Sequence, residues 1–239
     1  MSGSCFDRYL FRISDDDTAK RTDYMKEVFH LLQIKDPDLL RAQIQRHNLQ
    51  AFFSIDLEKY ASIVTYDPGE IICHAGDVDP ILMILVEGEC IAYDLNKIGK
   101  MHCEMHYLGM HFLGLVSSIW GKPTINDIKA LTSCMFICIS CVDKLHEDVK
   151  FLNFAVLYLA DHIRKNSRHF ERLPTRLANF ILETQQNGVF SYNMSLCADI
   201  LETSTRHLQR TLREFCDQGI LRHESRGVYT ILDMDRLLD

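Results

Sequence analysis

Residues 194–218, MSLCADILETSTRHLQRTLREFCDQ, decide how this chain is read. The pattern predicts two short helices joined by a tight turn at Glu202-Thr203-Ser204. Ser195 can cap the first helix through its side-chain oxygen, and Ser204 or Thr205 the second. Cys197, Ile200 and Leu201 give the first helix an apolar face, and small Ala198 admits a close crossing. Leu208, Leu212 and Phe215 recur at helical spacing on the second and point inward. Its other face carries Arg206, Gln209, Arg210 and Arg213. Guanidinium forks bond guanine edges or phosphates, and glutamine can bond adenine. That is the layout of a helix-turn-helix whose second helix enters the DNA major groove. An ordinary helical hairpin with a solvated charged face is the competing reading.

The residues after this helix pair favour DNA. Gly219 suits the end of a helix. Ile220-Leu221 and Val228-Tyr229-Thr230-Ile231 read as two short strands around the turn Ser225-Arg226-Gly227. A hairpin in that place makes a wing, with Arg226 at its tip. Arg206, Gln209 and Arg210 are the expected readers of base edges. Thr205, Arg213 and Arg226 are the expected phosphate contacts, and His207 points at DNA or packs at the turn.

Upstream, Val149, Leu152, Val156, Leu159, Ile163, Asn166, Phe170 and Leu173 follow alternating steps of three and four. This is an a/d seam, which suits a parallel homodimer, and a buried Asn166 would fix its register. Phe151, Phe154 and Leu157 lie off the seam and can face another part of the chain. Pro174 interrupts the helix and marks a hinge. Leu177, Phe180, Ile181 and Leu182 then open the next core.

From Ala51 to about Leu145 the pattern is one of short strands and turns. Tyr66-Asp67-Pro68-Gly69-Glu70 and His74-Ala75-Gly76-Asp77 are turns. Ile71-Ile72, the run from Ile81 to Val86, Cys90 to Tyr93, Met101 to Leu108, Phe112-Leu113 and the segment from Ala130 to Ser140 supply strands. Such spacing suits a jelly-roll barrel or sandwich.

Here the residues carry a resemblance. YDPGEIICHAGD followed by ILMILVEGECIAYD resembles the start of a cyclic-nucleotide-binding β roll. With the heptad helix and winged helix-turn-helix after it, the chain resembles the Crp/Fnr family of bacterial transcription regulators from about Ala51 onward. The resemblance implies an α+β fold: N-terminal helices (1–50), a β-roll sensor domain (51–147), a dimerisation helix (148–173) and a winged helix-turn-helix (174–239). It implies a homodimer on a palindromic operator, with RNA polymerase as a partner, and a role as activator or repressor. By the family's pattern Leu115, Ile125 and Asn126 would lie near an effector pocket, and Glu202 occupies a turn position where glycine is common.

The departures are chemical. Cyclic-AMP-binding members hold ribose and phosphate with a glycine-glutamate pair and an arginine-serine pair. This chain reads Phe112-Leu113-Gly114-Leu115 and Thr124-Ile125-Asn126-Asp127, without that glutamate or arginine. A buried phosphate without a cation carries a large desolvation cost, so cyclic AMP is not expected as the effector. Cys5 alone stands where iron-sulfur members have an N-terminal cysteine cluster, so no such cluster is expected. Cys73-His74, Cys103 and the series His102, His106, His111 are what a haem or redox site would draw on. Burial is the expected role for most thiols, with Cys134 and Cys138 on one strand face and Cys141 on the other. The single CxxC, Cys138 to Cys141, is a weak metal signal, and no cofactor or metal is expected.

The chain has 239 residues, 47% of them hydrophobic, enough for two modest cores. No apolar run is long enough to span a bilayer and no signal peptide is evident, so a cytoplasmic location is expected. Net charge is −7, which disfavours bulk nucleic-acid binding. From residue 173 onward seven arginines face nine acids and no lysine is present. That balance keeps a second reading open: a ligand or redox sensor signalling through protein association. No G-x-S-x-G, Walker loop or HExxH is present, and an enzyme is not expected. Ser14-Asp15-Asp16-Asp17 reads as a solvated linker. Asp23 to Gln33 and Asp36 to His47 read as amphipathic helices, apolar at Met25, Val28, Phe29 and Leu32 and at Leu39, Leu40 and Ile44.

Overall fold

A computed structural model of the chain describes residues 33–77, 81–95, 101–166 and 172–238. The linker at 14–17 and the expected helix Asp23–Gln33 lie outside these residues, apart from Gln33, which is in a strand. The architecture is α+β, and the chain divides into two compact units. The first comprises Met1–Cys90 and Gly109–Ala155, the second Ile91–Leu108 and Val156–Asp239.

In the first unit, α1 (Pro37–Arg46) starts where Asp36 Oδ1 accepts the backbone N–H of Asp38 and Leu39 at 3.1 and 3.0 Å. Pro37 sits in the first turn, where its missing N–H costs nothing. Leu40 and Ile44 turn inward, as their spacing requires. A short 3-10 helix (Leu49–Phe52) and α2 (Leu57–Tyr60) lead into the sheet. Its five strands are β1 (Gln33–Ile34), β2 (Ala61–Tyr66), β4 (Leu82–Glu87), β7 (His111–Leu113) and β9 (Cys134–Ile139), in the order β1-β2-β9-β4-β7 with every neighbour antiparallel. Central β9 is nearly all buried, so Cys134 and Cys138 pack with Phe136, Ile137 and Ile139. β3 (Ile71–Cys73) pairs antiparallel with β8 (Asp127–Ala130). β2, β8, α3 (Leu115–Trp120) and α4 (Val142–Glu147) were not expected from the sequence.

The unit is closed by aromatic packing and one carboxylate. Phe53 stacks on Phe151 at 5.2 Å, and Phe154 lies 4.4 Å from Phe52 and 4.6 Å from Phe112, centroid to centroid. Asp148 accepts the backbone N–H of Ser54 at 2.6 Å, Ile55 at 3.3 Å and Phe151 at 3.1 Å. Burial alone would push this carboxyl up. The hydrogen bonds from Ser54, Phe151 and Ile55 outweigh it and hold the acid below its ordinary value.

Helix α5 (Val149–Asn166) carries the heptad seam. Phe151 and Ala155 are buried and Phe154 half-buried, as expected for residues off the seam. Leu157 departs from expectation: it is 71% exposed. Val149, Val156 and Ile163 are also open at 68, 66 and 71%, while Leu152 and Leu159 are half-buried. Asn166 ends the helix and Phe170 lies outside the described residues. Leu173 leaves the seam, because it opens the next helix and is buried in another core.

In the second unit, α6 (Leu173–Thr184) carries Pro174 in its first turn. A three-stranded antiparallel sheet follows, β10 (Val189–Ser191), β12 (Val228–Ile231) and β11 (Leu221–Ser225), ordered β10-β12-β11. Helices α7 (Met194–Ile200), α8 (Thr205–Asp217) and α9 (Met234–Leu238) complete it. Leu177, Ile181, Phe190, Cys197, Leu208, Leu212 and Leu221 form its buried centre. Strand β6 (Met101–Leu108) and, from Ile91 onward, β5 (Glu89–Leu95) also fall in this unit, with α7 lying against β6.

Candidate nucleic-acid interface

Helix α7 is capped by Asn193, not by Ser195. Asn193 Oδ1 accepts the N–H of Ser195 at 2.9 Å and of Leu196 at 3.2 Å. The helix starts two residues earlier than a Ser195 cap would give, at Met194, and Ser195 is already inside it. Cys197, Ala198 and Leu201 are buried and Ile200 half-buried. Burial raises the Cys197 thiol to about 12, so it is a packing group.

The turn is tight because Glu202 adopts φ 48°. This left-handed backbone is costly for a residue with a Cβ. Ser204 then caps α8, accepting the His207 N–H at 3.2 Å. The inner face of α8 is Leu208, Thr211, Leu212 and Phe215. Thr211 is satisfied by donating its hydroxyl to the His207 carbonyl at 3.2 Å. The outer face is Arg206, Gln209, Arg210 and Arg213, all exposed. Arg210 Nε lies 3.7 Å from Glu214 Oε1, a loose exposed pair that contributes little. Among the described residues Arg206, Arg213 and Arg226 take part in no ion pair.

The wing is fixed by its own chemistry. Arg222 Nε and Thr230 Oγ1 each donate to Glu224 Oε1 at 2.7 Å. Thr230 first, then Arg222, keeps that carboxyl below its usual range. Gly227, at φ 78°, lies so close to the Tyr192 carbonyl that a Cβ would meet its oxygen at 2.6 Å. The Tyr192 N–H in turn donates to the Gly227 carbonyl at 3.0 Å. This close approach places exposed Arg226 at the tip.

Two grooves flank α8. One, of about 340 Å³, is lined by Arg206, His207, Gln209, Arg210 and Arg213. The other, about 800 Å³, runs between α8 and the wing past Thr205, Gln209, Arg213 and Arg226. The six residues singled out for DNA thus lie along one continuous surface. Asn193, Ser195 and His223 also line the larger groove, and the sequence reading did not assign them to it. Asn193 was legible as a cap residue. His223 gave no signal, since its outward aim depends on the pairing of β11 with β12.

The residues expected near an effector pocket fall in unlike surroundings. Leu115 is buried and Ile125 is 73% exposed, with Asn126 half-buried. Next to them, Thr124 Oγ1 donates to the His74 carbonyl at 2.7 Å. Asp127 Oδ1 accepts the Ala75 N–H at 3.0 Å and lies 3.3 Å from His74 Nδ1. The residues a haem or redox site would draw on are divided between the units. Cys73, His74 and His111 belong to the first, and His102, Cys103 and His106 to the second. Burial raises Cys103 to about 12, and His106 packs on Phe180.

Residues 175–239 match the family model of the Crp-like helix-turn-helix domain. No curated protein matches the chain. Among solved structures, FixK2 from Bradyrhizobium japonicum aligns with a TM-score of 0.63 at 19% identity, covering 74% of this chain and 95% of its own. A Crp/Fnr-family transcriptional regulator from Thermus thermophilus aligns with a TM-score of 0.61 at 18% identity, covering 73% and 95%. The c-di-GMP-responsive global regulator CLP of Xanthomonas campestris gives 0.56 at 14%, covering 81% and 99%. The chain therefore has the fold of the Crp/Fnr transcription regulators, and its residues 175–239 are a Crp-like helix-turn-helix domain.

Proposed function

We propose that the chain is a homodimeric, cytoplasmic transcription regulator that binds a palindromic operator through α8. The observation that carries this reading is the open face of α8. Arg206, Gln209, Arg210 and Arg213 are exposed beside a wing that offers Arg226, and only Arg210 takes part in an ion pair among the described residues, a loose one with Glu214. Arg206, Gln209 and Arg210 read base edges, and Thr205, Arg213 and Arg226 hold phosphates.

The open seam of α5 supports the dimer. A twofold pair presents two recognition helices to successive major grooves when they stand about 34–36 Å apart. RNA polymerase would then be the partner at the promoter. No described helix is long and apolar enough to cross a membrane.

The effector is not cyclic AMP in the family's usual manner. The stretch Thr124–Asp127 offers no arginine to a phosphate: Asp127 carries a carboxylate bound by the Ala75 N–H beside His74, and Thr124 is committed to the turn at His74. An anion there meets repulsion where it needs a counter-charge. Selection of bound duplexes from a random pool, with and without cell extract, tests the whole reading. The expected product is one twofold-symmetric sequence. A pool that stays random, or yields no bound fraction at low salt, overturns it and favours the sensor that signals by protein association.

A further inference from the structure

Strands β5 and β6 bring three potential metal ligands together outside the DNA-binding surface. Asp94 stands on β5, and His102 and Glu104 share the outward face of β6. One donor atom from each lies within 4.8 Å of the other two. His102 Nδ1 is 3.0 Å from Glu104 Oε1 and 3.7 Å from Asp94 Oδ1. First-row divalent ions bind nitrogen and oxygen at about 2.0–2.2 Å, which sets neighbouring donors roughly 3.0–3.5 Å apart. Those two separations bracket that range and the third is at most 4.8 Å, so closure on an ion takes a side-chain movement that draws the two carboxylates together.

A second observation bears on the same point. Asp94 Oδ1 is shielded from solvent and accepts no hydrogen bond. Leaving a carboxylate oxygen dry and unpartnered is costly, and a cation is the partner that removes the cost. The Asp94 side chain as a whole keeps 41% of its exposure, so an ion has a route in and room to keep water ligands. The set also differs from a patch of surface acids, because an imidazole nitrogen stands between the two carboxylates.

The remaining nitrogen of the ring faces a third carboxylate. His102 Nε2 lies 3.9 Å from Glu202 Oε2, at the turn that precedes the recognition helix. Metal-binding histidines commonly direct their second N–H at a carboxylate, which fixes the tautomer and the ring orientation.

We propose that Asp94, His102 and Glu104 bind one first-row divalent cation, with Glu202 as the acceptor that orients His102. Imidazole with two carboxylates suits manganese, ferrous iron or zinc and has no thiolate to favour cuprous ion. When the cation occupies Nδ1, the proton resides on Nε2 and His102 becomes a donor to Glu202. The ion thereby connects β6 with the helix-turn-helix turn. Metal binding and the DNA reading are separable, since none of the three ligands is a DNA contact.

The test is titration of the full chain with Co²⁺, read by its visible spectrum, and with Mn²⁺, read by calorimetry. The expected result is one ion per chain with no thiolate charge-transfer band. Asp94→Asn, His102→Gln and Glu104→Gln should each weaken binding by tenfold or more. His102 and Glu104 are exposed and Asp94 half-buried, and an unchanged circular dichroism spectrum confirms each variant's fold. Glu202→Gln should keep the stoichiometry and lower affinity roughly 10-fold, as loss of an outer partner does. Absence of stoichiometric binding overturns the site. So does a thiolate band, or affinity unchanged in the His102→Gln chain. Unchanged affinity in Glu202→Gln removes Glu202 from its orienting role.

Discussion

The dimer is the part of the functional reading most open to direct attack, through Val156 and Ile163. Both lie on the α5 seam and expose 66 and 71% of their surface in the single chain. Full burial of a valine or isoleucine side chain stabilises by about 1.5–3 kcal/mol. With two-thirds of that area available, each residue offers about 1–2 kcal/mol on pairing. A chain carrying Val156→Asp and Ile163→Asp loses four such contributions per dimer, roughly 4–8 kcal/mol before any charge repulsion is added. At 1.4 kcal/mol per decade, the dissociation constant should rise about 10³-fold or more. Sedimentation velocity from 0.1 to 100 µM, as about the accessible range for affinities of this order, should show the parent as a dimer and the variant as a monomer. The thermal midpoint of the isolated fold should change little, because both side chains are mostly exposed in the single chain. A variant that sediments like its parent throughout would refute the seam. A parent that is monomeric at every concentration would refute the dimer itself.

Other consequences are equally concrete. Arg210→Ala should cost about 1–3 kcal/mol on the selected operator and relax specificity at one base pair, whereas Arg226→Ala should weaken all duplexes alike and lower the salt slope by about 1; anisotropy titrations across salt separate the two. Leu212→Ala opens a cavity in the winged core where Leu212 is fully buried, and should cost about 2–5 kcal/mol in denaturant unfolding. Asp148→Asn should destabilise near neutral pH. Since the folded carboxyl is held below its ordinary 3.8, its stabilising effect is complete above that value and fades as pH falls through the lower, folded value. The two chains' melting temperatures should therefore converge in acid. Glu202→Gly trades a left-handed strain of about 1–2 kcal/mol against a glycine entropy cost of about 0.4–1 kcal/mol. A slightly higher melting temperature is expected.

Periodicity was the legible part of this chain, and pairing was not. The faces of α8 and α5 followed from spacing alone, because Leu208, Leu212 and Phe215, or Val149, Val156 and Ile163, repeat with the helix. The wing was legible because Gly227 breaks two β-rich runs. By contrast, β10 is only three residues, too short for an alternating pattern, although Asn187 and Gly188 at φ 52 and 79° form a turn before it that the Asn-Gly dipeptide signals. Strand β8 was missed because Asp127 and Lys129 look like loop residues until β3 lies beside them. Leu157 misled because apolar character reports a wish for burial without naming the partner. The Asp94, His102 and Glu104 group needed the register between two strands, which the sequence does not contain.

The acidity of the winged domain weighs less against DNA than the bare count of nine acids to seven arginines suggests. Charges act over roughly a Debye length, about 8 Å at physiological salt, so acids beyond the contact surface are largely screened. On the surface itself Glu224 is bound to Arg222 and Thr230, and Glu214 is drawn to Arg210. What remains is a narrow strip of Arg206, Arg213 and Arg226 along α8 and the wing tip, with Asp217 the further acid lining the groove. Such a strip gives weak attraction to random duplex and useful affinity only when two copies engage at once. On the proposed dimer, a low basic charge and an open seam would be parts of one design: the domain's acids would suppress binding to bulk DNA, and pairing would restore affinity where two half-sites stand at the right separation.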